Sequence, residues 1–429
     1  MKTLPRISGF LALAGLAATA RAQSEYQFTL VEAFTPSYNL RECYLTDINE
    51  LGLACGTATR EYQVAGGTSI GYSGLTWTDA TEKSPLDAIL WPRGVNNHGW
   101  VVGLRTVFDA GSGSVVATIP YPPGGMSTME ALGVNDAGTV VGYAQTCVCS
   151  NSNGLLQIPF VWDAVNGTRA VNVPGAKELR RVNATDVAVG NIRGTGPTAF
   201  RYDVASGAYA TLSPLLPAGA NGPAPSVGAD VNDQGTIAGY YTDQTTFVRR
   251  GVIWAASGSV VTFASFGGVD ADVFAQGINN SGTAVGYAQP GQGAAFHAFV
   301  WDAAHGIRDL NSLTAGVPQG FILDRALKVN DRGWIVGDGH YGPGWSTSIA
   351  FVLRPAGAAC YANCDGSVTA PAVNTGDFTC FLQRYSAAVL LPAAQQQADY
   401  ANCDGSANFP QVNTGDFTCF LQKYAAGCP

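Results

Sequence analysis

Oxygen-bearing side chains recur with fixed spacing near the end of the chain. Asn363, Asp365 and Ser367 stand at alternate positions, and Asn374 and Asp377 follow just before an apolar helical pattern. Calcium takes about six to eight oxygen ligands at flexible distances, and an alternating loop that enters a helix can supply them. The same arrangement occurs twice in tandem, which predicts calcium binding in both halves. The predicted ligands are Asn363, Asp365, Ser367, Asn374, Asp377, Asn402, Asp404, Ser406, Asn413 and Asp416.

These loops resemble EF-hand calcium loops, although Asp377 comes later after Asn363 than the last ligand of an EF-hand would. Two such halves in tandem are similar to a dockerin, and the cysteine-rich GC-type dockerin is the closer match. Its motifs stand here as Asn-Cys-Asp-Gly (363–366), Asp-Phe-Thr-Cys-Phe (377–381) and Ala-Ala-Gly-Cys-Pro (425–429). The resemblance covers residues 360–429. It implies a small α-helical, calcium-binding module that attaches to a cohesin-like protein or a cell-surface component.

A different motif organises the preceding part of the chain. An Asn is followed three residues later by Gly and then by a short β-branched segment, as in Asn135-Asp-Ala-Gly-Thr-Val-Val-Gly142. An Asn that opens a turn and a Gly in the left-handed region predict a β-hairpin. One copy has Asp186 in place of the Gly, and Asp tolerates the left-handed region. The motif asparagines are Asn49, Asn96, Asn135, Asn183, Asn232, Asn279 and Asn330.

The spacing of these asparagines predicts the architecture. Successive motif residues lie 47, 39, 48, 49, 47 and 51 positions apart, with several short strands in each interval. A period in the forties is typical of a propeller blade. The last copy ends at Pro355 without a fourth strand, and residues 26–34 read as the strand that completes it. We therefore predict an all-β domain over 23–355, a seven-bladed β-propeller closed by an N-terminal strand.

The repeats resemble those of extracellular HAF-repeat proteins, which are named for a His-Ala-Phe run. That run stands here as His297-Ala-Phe299, before Val300 and Trp301. The likeness spans roughly residues 40–355. It implies export and a β-repeat fold, and it implies no established activity.

The start of the chain and its charge narrow the class of protein. Residues 1–22 combine Lys2 and Arg6, an apolar run and a small-residue cleavage site, which predicts a signal peptide and a secreted, extracellular or cell-surface protein. No later stretch is long and apolar enough to predict a membrane span. The net charge is −8, with 31 acidic and 23 basic residues. This charge argues against nucleic acid and anionic lipid as partners.

The ten cysteines of an exported chain are expected to form disulfides. Cys43 and Cys55 flank the first repeat and could brace its blade. Cys147 and Cys149 could form a loop staple or contact a metal. The six cysteines of the tail allow many pairings. We expect the pairs Cys364–Cys380, Cys403–Cys419 and Cys360–Cys428.

No catalytic signature is present: the sequence lacks a zinc-binding His-Glu-x-x-His, a nucleophile elbow, a phosphate loop and a dinucleotide fingerprint. No catalytic residue is therefore predicted, although Asp47, Asp230 or Asp324 could meet from different blades as acids. Trp162, Trp254 and Trp301 recur at one strand position and predict packing between blades. The non-periodic candidates for contact with a carbohydrate or peptide are Trp100, Trp334, His340 in an elaborated loop, and Trp345.

The sequence thus predicts a secreted, non-catalytic binding or display protein. The propeller is expected to serve as a ligand-binding or structural platform, and the tail to attach it through calcium. The alternative is an extracellular polysaccharide-degrading enzyme with its active site on a propeller face. A purely structural component of a surface layer is a third possibility.

Overall fold

The structure is a computed structural model. It describes residues 24–32, 42–64, 67–78, 82–86, 91–124, 126–147, 155–193, 197–212, 224–342, 348–356, 364, 375–389, 396 and 412–426. Predictions for the signal peptide fall outside this part of the chain, as do those for Cys149, Trp345, Cys360, Cys403 and Cys428. No helix in the described ranges is long and apolar enough to cross a bilayer.

Seven sheets make up the main domain, and in six of them the four antiparallel strands follow chain order; the seventh includes the N-terminal strand. We number them as blades 1 to 7. Blade 1 contains β2 (Cys43–Ile48), β3 (Ala54–Val64), β4 (Gly67–Thr78) and β5 (Glu82–Leu86). Blade 2 contains β6 (Gly94–Val95), β7 (Trp100–Gly103), β8 (Thr106–Asp109) and β9 (Ser114–Thr118). Blade 3 contains β10 (Thr128–Val134), β11 (Val140–Cys147), β12 (Leu155–Asp163) and β13 (Gly167–Ala170). Blades 4 and 5 contain β14 (Ala176–Val182), β15 (Val187–Arg193), β16 (Pro197–Asp203), β17 (Tyr209–Thr211); and β18 (Ser226–Val231), β19 (Ile237–Thr242), β20 (Arg249–Trp254), β21 (Val260–Phe263).

Blade 6 follows a short 3-10 turn at Phe266–Gly268 and contains β22 (Val273–Ile278), β23 (Ala284–Ala288), β24 (His297–Asp302) and β25 (Gly306–Asp309). The helical turn α1 (Leu310–Leu313) comes next. Asp309 caps this turn by accepting a hydrogen bond from the Asn311 backbone. The strand β26 (Thr314–Ala315) and blade 7 complete the domain, with β27 (Phe321–Val329), β28 (Ile335–Tyr341) and β29 (Ile349–Pro355).

The ring closes as the sequence predicts. The N-terminal strand β1 (Tyr26–Val31) pairs antiparallel with β29, with Phe28 opposite Leu353 and Leu30 opposite Phe351. It also pairs in parallel with β26, a contact that the sequence did not indicate. The two ends of the domain therefore meet in one sheet, and the seven-bladed propeller is confirmed.

The Asn-Gly turns have the predicted backbone. Glycines at the third position after the motif Asn have positive φ, for example 82° at Gly138 and 80° at Gly282. Asp186 takes the same conformation at 61°, which confirms that Asp replaces Gly there. The Asn side chain accepts hydrogen bonds from its own turn; the Oδ1 of Asn232, for instance, accepts from the Thr236 backbone N–H at 2.8 Å.

Aromatic side chains fill the space between blades. Trp162, Trp254 and Trp301 are buried in clusters that combine residues of adjacent blades, as predicted. The recurring Phe of the third strand is fully buried as well, for example Phe299. It packs on the last Gly of the motif: a Cβ on Gly286 would lie 2.8 Å from the Phe299 ring and 2.0 Å from a first-strand carbonyl oxygen.

Two helices form the described part of the tail, α2 (Thr375–Ala388) and α3 (Thr414–Ala426). They pack through equivalent residues of the duplication, because the rings of Phe381 and Phe420 stack with centroids 4.0 Å apart. The predicted disulfide Cys364–Cys380 is present. Cys419 is also disulfide-bonded.

The cysteines of blade 1 do not form the predicted brace. Cys43 and Cys55 are buried and are not joined to each other. In the ladder Cys43 lies opposite Ala58 and Cys55 lies opposite Asp47, so the strand register keeps the two sulfurs apart. The Cys55 thiol is fully buried, and this burial raises its pKa. Of the Cys147–Cys149 pair, only the backbone of Cys147 lies in the described ranges, at the end of β11.

Candidate functional site

A repeated irregularity shapes the centre of the propeller. In six blades the inner strand has a register shift at the third residue before the motif Asn, as at Thr46 and Gln276. A β-bulge leaves one residue out of the ladder and redirects its side chain. Here the redirected residues, together with the equivalent Arg93 of blade 2, surround the propeller axis. They are Thr46, Arg93, Leu132, Arg180, Ala229, Gln276 and Leu327, one from each blade.

These residues line a cavity of about 360 Å³, which we call the axial cavity. Glu130, Tyr143, Glu178 and Arg181 complete its lining. The lining therefore holds three arginines and two glutamates, an excess of one positive charge in a chain whose net charge is −8. Such a cavity favours a polar ligand that carries negative charge.

One wall of the axial cavity is a fixed polar group centred on Glu130. Its Oε1 accepts from Arg93 Nε at 2.6 Å, and its Oε2 accepts from the Tyr143 hydroxyl at 2.5 Å. Burial and the hydrogen bond to Glu130 raise the pKa of Tyr143. The phenol therefore stays protonated and donates at neutral pH.

The adjacent wall carries Glu178. Its Oε1 accepts from Asn191 Nδ2 at 3.0 Å, and the Arg180 guanidinium lies 3.6 Å away. Burial raises the pKa of Tyr240 and of Tyr287, and the positive charge of Arg180 partly offsets both rises. These two tyrosines belong to an aromatic group.

This aromatic group stands at repeat positions equivalent to those of Glu130 and Tyr143, which line the axial cavity. Phe274 stands in β22 at the position that Glu130 and Glu178 occupy in their blades, two residues from Gln276 on the same face. Its ring contacts Tyr240 edge-on and stacks on Tyr287, with centroids 4.8 Å apart in both pairs. All three side chains are half-buried. Half-buried aromatic faces next to a polar cavity can stack on a ligand.

Arg181 forms the floor of the axial cavity. Its guanidinium donates to the carbonyl oxygen of Leu132, to that of Arg180 at 3.3 Å and to that of Thr46 at 3.4 Å. The side chain therefore reaches from blade 4 across to blade 1. Blades 2 and 3 have Gly94 and Gly133 at the position of Arg181, so no side chain blocks that path.

Below this floor lies a second compartment of about 150 Å³, on the side of the Asn-Gly turns. Lys328 Nζ donates to Asp230 Oδ2 at 2.5 Å, and the same oxygen accepts from the Ile278 backbone. The other oxygen, Asp230 Oδ1, is buried without a hydrogen-bond partner among the described residues. Asp47 in blade 1 accepts from the Val95 backbone in the same way.

Residues that follow the motif asparagines surround the mouth of this compartment. Asn280 bridges Asp233 and Asp331, and the Asp331 backbone donates to Glu50 at 2.7 Å. Burial and the nearby Asp331 raise the pKa of Glu50 to about 7. The two ends of the channel therefore differ in charge: carboxylates dominate the mouth near the turns, and arginines dominate the axial cavity.

The sequence-based candidates for ligand contact lie elsewhere. The ring of Trp100 packs on Gly138 of the next blade, and Trp334 packs on Gly52 of blade 1. Trp334 is also covered by Arg354, whose guanidinium carbon is 4.8 Å from the ring centroid. Both tryptophans are half-buried in contacts between blades.

The prediction placed His340 in a loop, but it lies in a strand, because the ladder of blade 7 continues through it to Tyr341. It is buried, and its Nδ1 lies 2.5 Å from Asp324 Oδ2. His297 of the His-Ala-Phe run forms a similar pair with Asp309 at 2.7 Å, and this hydrogen bond raises the pKa of His297. Of the three proposed acids, Asp47 and Asp230 line the lower compartment, and Asp324 is buried in blade 7.

Three of the predicted calcium ligands lie in the described ranges: Asp377, Asn413 and Asp416. Both aspartates are fully buried in the first turns of their helices. Asp416 Oδ2 accepts from the Asn413 backbone at 2.7 Å, a hydrogen bond that caps the start of its helix. Buried carboxylates among oxygen donors suit calcium chemically.

None of the residues that line the axial cavity was predicted from the sequence as a site residue. A signal was nevertheless present in the repeats. The motif Asn and the last Gly are the same in all seven copies, whereas the third residue before Asn is Thr, Arg, Leu, Arg, Ala, Gln or Leu. These side chains differ from blade to blade, whereas the constant Asn and Gly serve the turn and the packing of every blade.

Comparison with known proteins adds fold likeness only. No family model matches the chain, and no curated protein matches it. The Pyrococcus horikoshii acylaminoacyl peptidase is 9% identical with a TM-score of 0.46, over 70% of this chain and 49% of the peptidase. This chain thus spans about half the length of that enzyme. The RRP9 WD40 repeats are 9% identical with a TM-score of 0.45, over 78% of this chain and 99% of theirs.

A third similar structure bears on the prediction that the protein is not an enzyme. An oligogalacturonate lyase in complex with manganese is 8% identical with a TM-score of 0.44, over 78% of this chain and 98% of the lyase. Peptidases and a lyase thus stand among the similar propellers, and the prediction of no enzymatic activity is withdrawn. None of their activities is transferred to this chain at such identity.

Proposed function

We propose that the axial cavity binds a saccharide. The observation that carries this proposal is the convergence of one side chain from every blade on a single polar cavity. Glu130 and Glu178 are suited to accept hydrogen bonds from hydroxyl groups, and Arg93 and Arg180 to donate them. Within the aromatic group, the Tyr240 ring is the candidate for stacking on a sugar, because Arg249 and Tyr287 already cover the ring of Phe274.

A substitution that fills the cavity tests this proposal. Ala229 is a small lining residue, and Ala229→Trp would occupy much of the space. The control is Val261→Trp, which adds the same side chain on the exposed outer strand β21. On a glycan array, wild type and Val261→Trp should bind the same glycans, and Ala229→Trp should lose them. Equal binding by all three proteins would place the site elsewhere.

A second candidate function is cleavage of the bound saccharide. It is favoured by the two carboxylates, Glu130 and Glu178, which reach one cavity from adjacent blades. Pairs of carboxylates hydrolyse glycosidic bonds in many enzymes. The measurement is release of reducing ends from each glycan that binds, by wild type and by Glu178→Gln. Turnover that Glu178→Gln abolishes supports cleavage, and binding without any release excludes it for those glycans.

We propose further that the protein is exported through residues 1–22 and attached by its tail. The GC-type dockerin resemblance over 360–429 supports a calcium-dependent contact with a cohesin-like or cell-surface partner. The buried Asp377 and Asp416 support calcium binding. Calorimetric titration of the full, EDTA-treated chain with calcium should detect high-affinity binding, which Asp377→Ala reduces. The control Asp270→Ala removes an exposed carboxylate of the propeller and should leave the titration unchanged.

A further inference from the structure

We infer that the ligand of the axial cavity carries a carboxylate, and that Arg181 binds it. This inference rests on the proposed saccharide site and specifies the class of its ligand. Three features support it: the pairing of the arginines in the cavity, the hydrogen bonds of Arg181 and the total charge of the lining.

The arginines of the cavity are not equivalent. Arg93 pairs with Glu130 at 2.6 Å and Arg180 lies 3.6 Å from Glu178, so each has a carboxylate beside it. Arg181 contacts backbone carbonyl oxygens and, within the described residues, has no carboxylate within 4.0 Å. Its charge is therefore solvated by dipoles and is not neutralised by an ion pair.

The guanidinium of Arg181 also retains hydrogen-bonding capacity. Its Nη1 serves Leu132 and Arg180, and one Nη2 hydrogen serves Thr46. Among the described residues, the Nε hydrogen and the second Nη2 hydrogen have no acceptor. Nε–H and an Nη2 hydrogen of a guanidinium can together bind both oxygens of a carboxylate.

The charge of the lining selects a monoanion. One excess positive charge lines the axial cavity, and the two glutamates of its walls, together with Asp47 and Asp230 on the other side of Arg181, repel further negative charge. A sugar acid with one carboxylate satisfies this balance, whereas a phosphate dianion exceeds it. Glu130 and Glu178 remain available to accept hydroxyl hydrogens, so the fitting ligand is a hydroxylated monocarboxylate, such as a uronic acid residue at a chain end.

The experiment compares matched sugars on the full-length protein by ligand-observed NMR. Glucuronate and galacturonate are paired with glucose and galactose, and glucose 6-phosphate represents the dianion. We expect the uronates to bind at least tenfold more tightly than the neutral sugars and than the phosphate. Raising the salt concentration should weaken uronate binding and leave neutral sugars unaffected. Tighter binding of the phosphate, or equal affinity for acid and neutral sugar, would overturn the inference.

Two substitutions assign the effect to Arg181. Arg181→Gln should weaken uronate binding about tenfold and change the affinity for neutral sugars less than twofold. If this variant does not fold, Arg181→Lys keeps the charge but loses the two-donor edge, and it should bind uronate more weakly than wild type. The control Arg169→Gln removes an arginine from the outer strand β13 and should change nothing.

The outcomes separate the inference from the proposed function. Uronate preference that survives Arg181→Gln overturns the assignment to Arg181. Binding of neutral and acidic sugars that is equally unaffected by Ala229→Trp overturns the cavity itself as the saccharide site.

Discussion

Each motif Asn joins two blades as well as closing its own turn. Its Nδ2 donates to the backbone carbonyl of the next motif Asn, at 2.8 Å from Asn49 to Asn96 and 2.9 Å from Asn232 to Asn279. The series ends where it began, because Asn330 donates to Asn49 at 2.9 Å. We call this closed circle of hydrogen bonds the asparagine ring. The ring explains why no copy replaces its Asn, although Asp or Ser could open the same turn.

The substitution Asn232→Ala tests the asparagine ring. It leaves the part-buried Thr236 N–H without its acceptor and removes one donor to the Asn279 C=O, which keeps the Gly282 N–H, and we expect a loss of about 1 to 3 kcal/mol in the free energy of unfolding. The control is Asn166→Ala, which removes an exposed turn Asn bonded only to Asp163 and should cost less than about 1 kcal/mol. Urea unfolding measures both values. Similar losses would show that the ring adds nothing beyond an ordinary turn.

Glu50 gives the protein a pH-dependent stability. Its pKa in the folded protein is about 7, above the ordinary 4.5, because burial and Asp331 disfavour the charged form. The stability associated with protonated Glu50 is present below about pH 4.5 and is lost as the pH rises through about 7.

We therefore expect Glu50→Gln to stabilise the protein at pH 8 by about 1 to 2 kcal/mol. Each pKa unit corresponds to about 1.4 kcal/mol, and the expected gain is set lower than the full shift because Glu50 is partly exposed to solvent. The gain should shrink at pH 5. Thermal unfolding at the two pH values gives the answer, with Asp270→Asn as an exposed control. A gain that is equal at both pH values contradicts the assignment to Glu50.

At the scale of the element, the first three strands of a blade are held by one close contact. The last Gly of the motif lies where the first-strand backbone and the third-strand Phe meet. A Cβ on Gly142 would lie 2.0 Å from the Glu130 carbonyl oxygen and 2.9 Å from the Phe160 ring. The blade can thus bury a whole phenylalanine against a bulged inner strand only if this residue has no side chain.

Gly286→Ala should therefore destabilise blade 6 strongly. The added methyl group would meet the Phe274 carbonyl oxygen at 2.0 Å, and neither backbone segment can move without breaking the ladder. We expect a loss of about 2 to 4 kcal/mol, in the range of severe core disruption. Gly291→Ala is the control, since a Cβ there meets nothing within 4 Å. Calorimetric melting of the two variants distinguishes them, and equal Tm values would contradict this account of the motif.

At the scale of the whole molecule, stability depends on closure of the ring. The strand β1 supplies the outer part of blade 7, and Phe28 packs against Phe321 at 5.3 Å between ring centroids. This contact joins residues separated by nearly the whole propeller domain. Loss of β1 would expose both the edge of β29 and the cluster beneath it.

Leu30→Pro is the test of closure, because proline prevents pairing with Phe351. Val261→Pro makes the same change in β21, the outer strand of blade 5. We expect Leu30→Pro to lower Tm by several degrees more than Val261→Pro does, and to reduce the free energy of unfolding by about 3 kcal/mol or more. Far-UV circular dichroism and tryptophan fluorescence should report one coincident transition in wild type. Equal effects of the two prolines would show that β1 is only another edge strand.

Much of this architecture could be predicted from local sequence. Turn chemistry depends on one or two residues, so the hairpins, the left-handed Asp186, the number of blades and the closing strand all follow from recurring Asn and Gly. The buried Trp162, Trp254 and Trp301 follow from their period. The pair Cys364–Cys380 is one of the three pairs expected among the tail cysteines, and it is present.

The functional cavity could be determined only by the tertiary structure. A bulge depends on the partner strand, and no single segment shows that Thr46, Arg180 and Gln276 will face one axis. The same holds for Arg181, whose reach across the channel depends on glycines in two other blades. Periodic sequence determines each blade because its contacts are local; the ligand site required the ring, because its residues come together only when seven blades close around a common axis.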